Sequence, residues 1–330
     1  MSERTLAVTA AWNGRKFFFQ WEWLLVLIFI LIHVVNSSIS PYYFSIDTFL
    51  GAPMSFLDKA FIVLPMMLVI ILGNIDISVA SIVAFTSVMM AVIFNAGVPM
   101  PLALGAALLF GTALGGINGL LLVKFKELPS MIVTLATMTI YRGIAYVIME
   151  DRAAGGFPSW FSFFAWGYVG PFPFILLCFA AAAICFGILL HKTGFGRNVY
   201  GMGSNRLACV YSGVKTDRIL LAVGLLTGLM SAICAIFVTS RMGSTRPNVA
   251  QNYELDVIAM VVLGGVSTSG GTGRIAGPLL AVFIIGFLNY GLGLINVSAQ
   301  ILLVILGLLL VLSVLVMNLK SGKRVKKSAV

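Results

Sequence analysis

The sequence predicts an all-α fold, a polytopic transmembrane helix bundle, from its composition and from the pattern of its apolar segments. Hydrophobic residues make up 60% of the 330-residue chain and charged residues 10%, whereas ordinary soluble domains contain about 25% charged residues. A water-soluble fold of this composition would expose large apolar surfaces, which soluble monomers avoid. The composition therefore excludes an ordinary soluble domain.

Apolar segments of membrane-spanning length recur along the chain, since a helix needs about 20 apolar residues to cross the hydrocarbon core. About ten such segments are predicted, at about residues 21–36, 59–73, 77–95, 100–123, 129–149, 172–190, 219–239, 255–267, 276–294 and 299–318. The second and eighth are short and end in Gly-rich polar stretches, which indicates broken or half-depth helices. Such breaks are tolerated where the backbone lines a cavity or is buried in protein.

The polar ends of the chain flank one membrane domain. We expect a cytoplasmic N-terminal segment at 1–20, a single transmembrane domain at 21–318 and a basic cytoplasmic tail at 319–330. No small-residue cleavage site follows the first apolar run, which therefore predicts a retained span and not a removed signal peptide.

The distribution of Lys and Arg predicts the orientation, because these residues are enriched in cytoplasmic loops. With the N-terminus inside and ten alternating spans, only Lys59, Arg152, Arg241 and Arg246 of the 21 Lys and Arg residues fall outside, and Arg142 falls within a span. Both termini are therefore predicted to be cytoplasmic. The net charge of +10 then lies in inside loops and the tail, which favours membrane lipid over nucleic acid as its partner.

Small residues mark predicted contacts between helices. Gly111, Gly115 and Gly119 fall on one face of the fourth span, and Gly224 and Gly228 do the same in the seventh. Such faces allow two helix backbones to approach closely in lipid. This pattern indicates packing in a bundle and no particular mechanism.

Signatures of enzymes and metal sites are missing from the sequence. The two histidines are His33 and His191, and the four cysteines show no CxxC spacing, so no metal site is predicted. Residues 265–272 imitate a phosphate-binding loop, but Gly271 stands where the lysine that reaches the phosphates is required. We expect no ATPase site, no catalytic residue and no cofactor bound by this chain.

Two ionisable residues lie within or between spans, where charge is costly and often functional. Asp76, in a polar break, is expected to cap the following helix or to contact a solute or ion. Arg142 is expected to face a translocation path or to pair with a carboxylate such as Asp76 or Glu254. The spans offer almost no relay of Asp, Glu or His, which disfavours a proton-driven carrier. The candidate pathway residues are Asn74, Asp76, Thr137, Thr139, Arg142 and Asn289.

Four motifs follow one another along the chain. They are GNIDISVAS at 73–81, PSMIVTLATMTIYRG at 129–143, TGFGRNVYGMGSN at 193–205 and ELDVIAMVVLGGVSTSGG at 254–271. Over about residues 55–318 the chain resembles the permeases of bacterial monosaccharide ABC importers, the group that handles ribose, arabinose, xylose, rhamnose and autoinducer-2. The sequence departs from the family at Asn74, Ala80 and Ala136, where glycine is usual.

The resemblance implies that the basic loop at about 191–218 holds a coupling helix that contacts a cytoplasmic ABC ATPase. The implied contact residues are Gly196, Arg197, Tyr200, Gly203, Asn205, Arg206, Ser212 and Gly213. The residues that carry the fourth motif are Glu254, Asp256, Gly264, Gly265, Gly270 and Gly271.

The resemblance also implies a function, namely passage of a monosaccharide across the bacterial inner membrane by alternating access. The implied partners are the ATPase that uses the ATP, a periplasmic sugar-binding protein, and a second permease copy or a sister chain. The segments at 156–169 and 239–247 look most like rhamnose importer permeases, with autoinducer-2 permeases next. An ion-coupled secondary transporter is the competing class, and a membrane enzyme comes third.

Overall fold

A bundle of α-helices forms the body of the protein in the computed structural model. The structure describes residues 21–298 together with 300–302, 304, 305, 307, 308, 311 and 315. The predicted segments 1–20 and 319–330 lie outside the described residues, as does much of the predicted tenth span at 299–318.

Thirteen α-helices and one 3-10 helix (Ser159–Ser162) occur between residues 21 and 298 of the described chain. The α-helices are named in chain order. They are α1 (Trp21–Ile39), α2 (Ile46–Gly51), α3 (Pro53–Ile71), α4 (Val79–Asn95), α5 (Met100–Lys124), α6 (Ser130–Met149), α7 (Phe163–Trp166), α8 (Phe174–Lys192), α9 (Gly194–Ser204), α10 (Arg206–Tyr211), α11 (Thr216–Met242), α12 (Tyr253–Leu263) and α13 (Ala276–Leu294). Four two-residue strands accompany them: β1 (Ala154–Gly155), β2 (Tyr168–Val169), β3 (Phe172–Pro173) and β4 (Ser244–Thr245).

The prediction of an all-α, polytopic helical bundle is confirmed. Within the described residues, seven helical segments are long and apolar enough to cross a membrane: α1, α2 continued by α3, α5, α6, α8, α11 and α13. The helix α4, with 17 residues, is apolar but shorter. The count of ten spans and the cytoplasmic placement of both termini therefore stay predictions.

The two spans predicted to be short have different outcomes. The second is not short, because α2 and α3 form a continuous apolar segment of 26 residues. The eighth is short, since α12 has 11 residues and extends about 16 Å at 1.5 Å per residue. That length covers about half of a hydrocarbon core about 30 Å thick.

The helix α3 is the centre of the bundle. All of its residues except Ser55 and Lys59 are buried, against α8, α11, α12 and α13. Phe61 stacks on Phe237 of α11 with ring centroids 5.0 Å apart. A helix that is apolar on all sides can be enclosed by protein or can face lipid, so its central position follows from its packing against these four helices.

The connection between α6 and α8 folds onto the end of α11. Strand β1 pairs antiparallel with β4, with Ala154 opposite Thr245. Ser240 donates a hydrogen bond of 2.6 Å to the Phe161 carbonyl and accepts one of 3.1 Å from the Ala165 amide. The connection is therefore attached to the protein by both backbone and side-chain bonds.

The predicted glycine contacts join α5 to α11. An added Cβ on Gly111 would lie 2.8 Å from the Gly228 carbonyl oxygen, and one on Gly224 would lie 2.6 Å from the Gly115 carbonyl oxygen. Real Cβ atoms essentially never approach other atoms so closely. The two helices therefore touch backbone to backbone, as small-residue faces allow in membranes.

We expect Gly115→Ala to destabilise the protein by about 2 kcal/mol, since overpacking typically has this effect. The matched control is Gly105→Ala on the same helix, where an added Cβ meets nothing within 4 Å. Alanine there favours helix by up to about 1 kcal/mol. The measurement is the thermal transition of the detergent-solubilised protein by size-exclusion chromatography after heating. Equal transitions for the two variants would contradict the close crossing.

Candidate functional site

A polar break at residues 73–78 separates α3 from α4. Asp76 is buried at its centre, and its Oδ1 accepts hydrogen bonds from the Ser78 amide at 2.9 Å and the Ser78 hydroxyl at 2.6 Å. Ser78 itself is the N-cap residue of α4 and makes no side-chain capping bond. Asp76 therefore bonds to the N-cap residue Ser78, two residues further along the chain, and stabilises the start of α4. This resembles the capping role expected of Asp76, although Asp76 is not itself the N-cap residue.

Side chains of α6 satisfy the backbone of this break. The Ile75 amide donates to the Ser130 hydroxyl and the Ile77 amide to the Thr134 hydroxyl, both at 3.2 Å. Backbone N–H groups within a membrane have no water to bond with. The hydroxyls of α6 thus replace the helical partners that the break removes.

A chain of hydrogen bonds continues from the break into α5 and α6. Asn118 donates to the Ser78 hydroxyl at 2.6 Å, and the Tyr141 hydroxyl donates to Asn118 Oδ1 at 3.0 Å. Sequence reasoning missed Asn118 and Tyr141 as site residues. An amide in the middle of the apolar fourth span was the signal available for Asn118.

A small cavity of about 20 Å³ adjoins the break, which is room for about one water molecule. Ligand pockets commonly occupy about 300–1,000 Å³, so this conformation has no room for a sugar at Asp76. The polar side chains that line the cavity are Asn74, Asp76, Asn118, Thr134 and Thr227.

Arg142 binds backbone carbonyls. Its Nη1 donates to the Pro247 and Val249 oxygens at 2.7 and 2.8 Å, and its Nη2 donates to the Ala80 oxygen at 3.3 Å. No carboxylate within the described ranges forms an ion pair with Arg142. Direct ion pairing with Asp76 or Glu254, one of the two expectations for Arg142, is therefore not seen in this conformation, and Arg142 joins α6 to α4 and to the chain that precedes α12.

The other candidate pathway residues do not gather around Asp76. Thr137 is buried and donates to the Thr134 carbonyl at 3.2 Å, whereas Thr139 is exposed and donates to the Leu135 carbonyl at 3.0 Å. Asn289 lies on α13, and its Oδ1 is buried with no hydrogen-bond partner among the residues that the structure describes. The structure thus unites Asn74 and Asp76 and leaves Thr139 and Asn289 elsewhere.

Two ion pairs join α3, α11 and α12. Arg241 Nη2 lies 2.8 Å from Oδ2 of the buried Asp58, which also accepts a hydrogen bond of 3.1 Å from the Tyr253 hydroxyl. Lys59 pairs with Asp256. Lys59 and Arg241 thus lie within helices, because α3 begins before residue 59 and α11 extends beyond residue 239, and their placement on the outer side of the membrane stays a prediction. Asp58 was missed for the same reason.

The loop predicted to contact an ATPase contains two helices, α9 and α10. Thr193 caps α9 by accepting a hydrogen bond of 3.3 Å from the Gly196 amide, and Asn205 caps α10 by accepting one of 2.9 Å from the Ala208 amide. Arg197 and Arg206 are exposed, and so are Ser212 and Gly213 in the turn that follows. The apolar side chains of Leu207 and Tyr211 on α10 are 70% and 89% exposed.

Tyr200 fixes α9 to the glycine-rich loop that precedes α13. Its hydroxyl donates a hydrogen bond of 2.6 Å to the Gly273 carbonyl. Burial raises the pKa of this phenol above its ordinary value, so the group remains protonated and able to donate at neutral pH. Three of the predicted coupling-loop residues thus face the protein: Tyr200, Gly196, which packs against the Leu190 carbonyl, and Gly203, which packs against the Ile71 carbonyl.

The residues of the fourth motif have three different surroundings. Asp256 is paired with Lys59, while Glu254 Oε2 is buried without a hydrogen-bond partner in the described part of the chain. Gly264 packs on the first turn of α13, where an added Cβ would lie 2.5 Å from Pro278 Cα, and Gly265 packs on the Trp21 ring. Gly270 and Gly271 lie beside the ends of α3 and α9.

The relatives that a comparison with known proteins finds are import permeases. The chain is 39% identical to the ribose import permease protein RbsC of Bacillus subtilis over 297 residues, 89% of this chain and 92% of the relative. It is 36% identical to RbsC of Haemophilus influenzae over 303 residues, 91% and 93% of the two chains. It is 34% identical to the autoinducer 2 import system permease protein LsrD of Escherichia coli K12 over 300 residues, 89% and 91%. No solved structure matches the chain.

The family comparison agrees with the fold. Residues 53–314 match the family described as "Branched-chain amino acid transport system / permease component". With seven apolar helices of membrane-spanning length among the residues that the structure describes, the protein is a multi-pass protein of the bacterial inner (plasma) membrane. By this match over most of its length, the chain belongs to that family of transport-system permease components.

Proposed function

We propose that this chain is the membrane-spanning permease of an ATP-driven importer of a monosaccharide or sugar-like solute. Its relatives are named as import permeases and align over about nine tenths of the chain. The observation that carries the proposal is the helix pair α9–α10, whose exposed basic and apolar side chains suit contact with another protein. The partners would be a cytoplasmic ABC ATPase that uses the ATP, a periplasmic binding protein, and a second permease copy or a sister chain.

The mechanism proposed is alternating access. The cavity at Asp76 is too small for a sugar, so a path requires rearrangement of this conformation. The short helix α12 is the element that we expect to move. Its start is attached to the bundle by side-chain contacts of Lys59, Asp58 and Arg142, and no continuous helix fixes it there. The chain's own part is to form the path and to receive the motion, with both termini on the cytoplasmic side.

For the solute we propose rhamnose, on the resemblance of the segments at 156–169 and 239–247. The named relatives make ribose and autoinducer-2 the two solutes to test beside it. Competition between radiolabelled rhamnose and an excess of unlabelled ribose or autoinducer-2, in cells that carry the complete importer, ranks the three. If uptake of labelled rhamnose is displaced by ribose or autoinducer-2 more effectively than by unlabelled rhamnose, that solute replaces rhamnose in the proposal. The proposed permease function is unaffected by this outcome.

The first prediction separates an ATP-driven permease from an ion-coupled carrier. In proteoliposomes, uptake should require the ATPase, ATP and the solute-loaded binding protein together. The same vesicles without ATPase, given a proton or sodium gradient, are the control and should show no uptake. Gradient-driven uptake by this chain alone would overturn the proposal.

The second prediction concerns Arg142. Its replacement by Met leaves the buried Pro247 and Val249 carbonyls without this donor, and each such loss destabilises a protein by about 1–3 kcal/mol. Arg142→Met should therefore lower both the thermal transition and the uptake rate. Arg142→Lys keeps a donor and the charge and should recover part of both. Lost uptake with an unchanged thermal transition would instead assign Arg142 a direct contact with the solute.

The third prediction concerns docking. Charge reversal at Arg197 or Arg206 should weaken co-purification of the ATPase while the thermal transition of the permease stays unchanged, because both side chains are exposed. The matched control is Arg152→Glu, whose side chain is 81% exposed and is predicted to lie on the opposite side of the membrane. Equal ATPase recovery with all three variants would contradict a docking role for α9–α10.

A further inference from the structure

Three separate segments of the chain meet where α9 ends. They are the end of α9 at Gly203 and Ser204, the end of α3 at Ile71, and the glycine-rich loop at Gly270 and Gly271. The Gly271 amide donates a hydrogen bond of 2.8 Å to the Ile71 carbonyl. We call this meeting point the glycine junction.

The contacts of the glycine junction are between backbones. A Cβ added to Gly203 would overlap the Ile71 carbonyl oxygen and lie 2.5 Å from the Gly271 amide nitrogen. One added to Gly270 would lie 2.9 Å from the Gly203 oxygen and 3.0 Å from the Ile71 oxygen. Only glycine permits this approach, and Gly270 and Gly271 also have φ values of 82° and 73°, which glycine adopts readily.

Backbone contact of this kind transmits displacement. Side chains absorb a shift by changing rotamer, whereas backbones in van der Waals contact have to move together or separate. Val199 and Met202 on α9 are buried and keep the helix seated on the protein. A shift of α9 therefore reaches Ile71 directly.

The end of α3 leads at once into the polar break. The Gly73 amide bonds to the Ile70 carbonyl at 2.9 Å and the Asn74 amide to the Val69 carbonyl at 3.1 Å, so the first residues of the break are fastened to the last turn of α3. Asp76 follows two residues later. The glycine junction is thus joined by a short, hydrogen-bonded stretch of backbone to the cavity at Asp76.

We propose that the glycine junction transfers motion of α9–α10 to α3 and to the break at residues 73–78, with Gly203 as a positioning residue. This inference rests on the proposed function, because an ATPase docked on α9–α10 would supply the motion. Gly203 binds no solute and no nucleotide, and its role is to let α9 bear directly on α3.

The test compares Gly203→Ala with Gly194→Ala in the complex of permease, ATPase and binding protein in proteoliposomes. Both variants are on α9, and an added Cβ at Gly194 meets only Arg197 Nη2, at an ordinary 3.5 Å. Gly203→Ala should retain the ATPase but lose most of its solute import per ATP hydrolysed, because α9 can no longer bear directly on α3. Gly194→Ala should match the wild type. Wild-type stoichiometry in Gly203→Ala would overturn the inference.

A second measurement on the wild-type complex needs no variant and covers the case in which Gly203→Ala does not fold. Hydrogen–deuterium exchange is followed with and without ATP and a non-hydrolysing ATPase. Exchange at residues 69–76 and 267–273 should change together with exchange at 194–204. A change confined to 194–204 would overturn the junction and leave the permease function standing, whereas failure of the ATPase to bind would overturn the proposed function itself.

Discussion

Backbone polar groups within the hydrocarbon core need partners within the protein, because the hydrocarbon offers no water. The break between α3 and α4 shows how this requirement determines which helices lie next to one another. The amides that lose helical partners there bond to Ser130 and Thr134 of α6 and to Asp76. These bonds fix α6 against α4, and the chain from Ser78 through Asn118 to Tyr141 adds α5. The arrangement of four elements thus follows from the pairing of one short stretch of backbone.

Charges obey the same rule at the other end of α3. Asp58 and Lys59 are side by side in sequence, yet each has an opposite charge from a different helix, Arg241 of α11 and Asp256 of α12. Buried pairs of this kind are weak evidence for stability, but they fix which helices are neighbours. Arg142 shows that carbonyls serve equally well as partners, since it holds the chain before α12 without any carboxylate. Together these contacts fix the position of α12, which has 11 residues and is too short to cross the membrane.

The site was predictable in part. The polar break at Asn74 and Asp76 was recognisable because it interrupts two apolar spans, whereas the solute path at Asp76 and the ATPase contact of the basic loop at about 191–218 stay predictions. Asn118, Tyr141 and Asp58 were missed, since their side-chain partners on other helices are 23 to 195 residues away in the sequence. Thr137 and Thr139 look alike in sequence, yet one is buried and the other exposed, because two residues of helix turn the side chain by about 200°.

The sequence by itself determined that this is a membrane-embedded helical bundle and marked most of the apolar segments, because apolar length and charge density are properties of local sequence. It also marked the glycine faces of α5 and α11, although only the structure showed that they meet. The tertiary structure alone decided the partner of each charge and the central position of α3. It alone brought Gly203, Ile71 and Gly270 to one point. The physical reason is that pairing within the bundle depends on which distant helices become neighbours, and composition and periodicity along the chain carry no record of that choice.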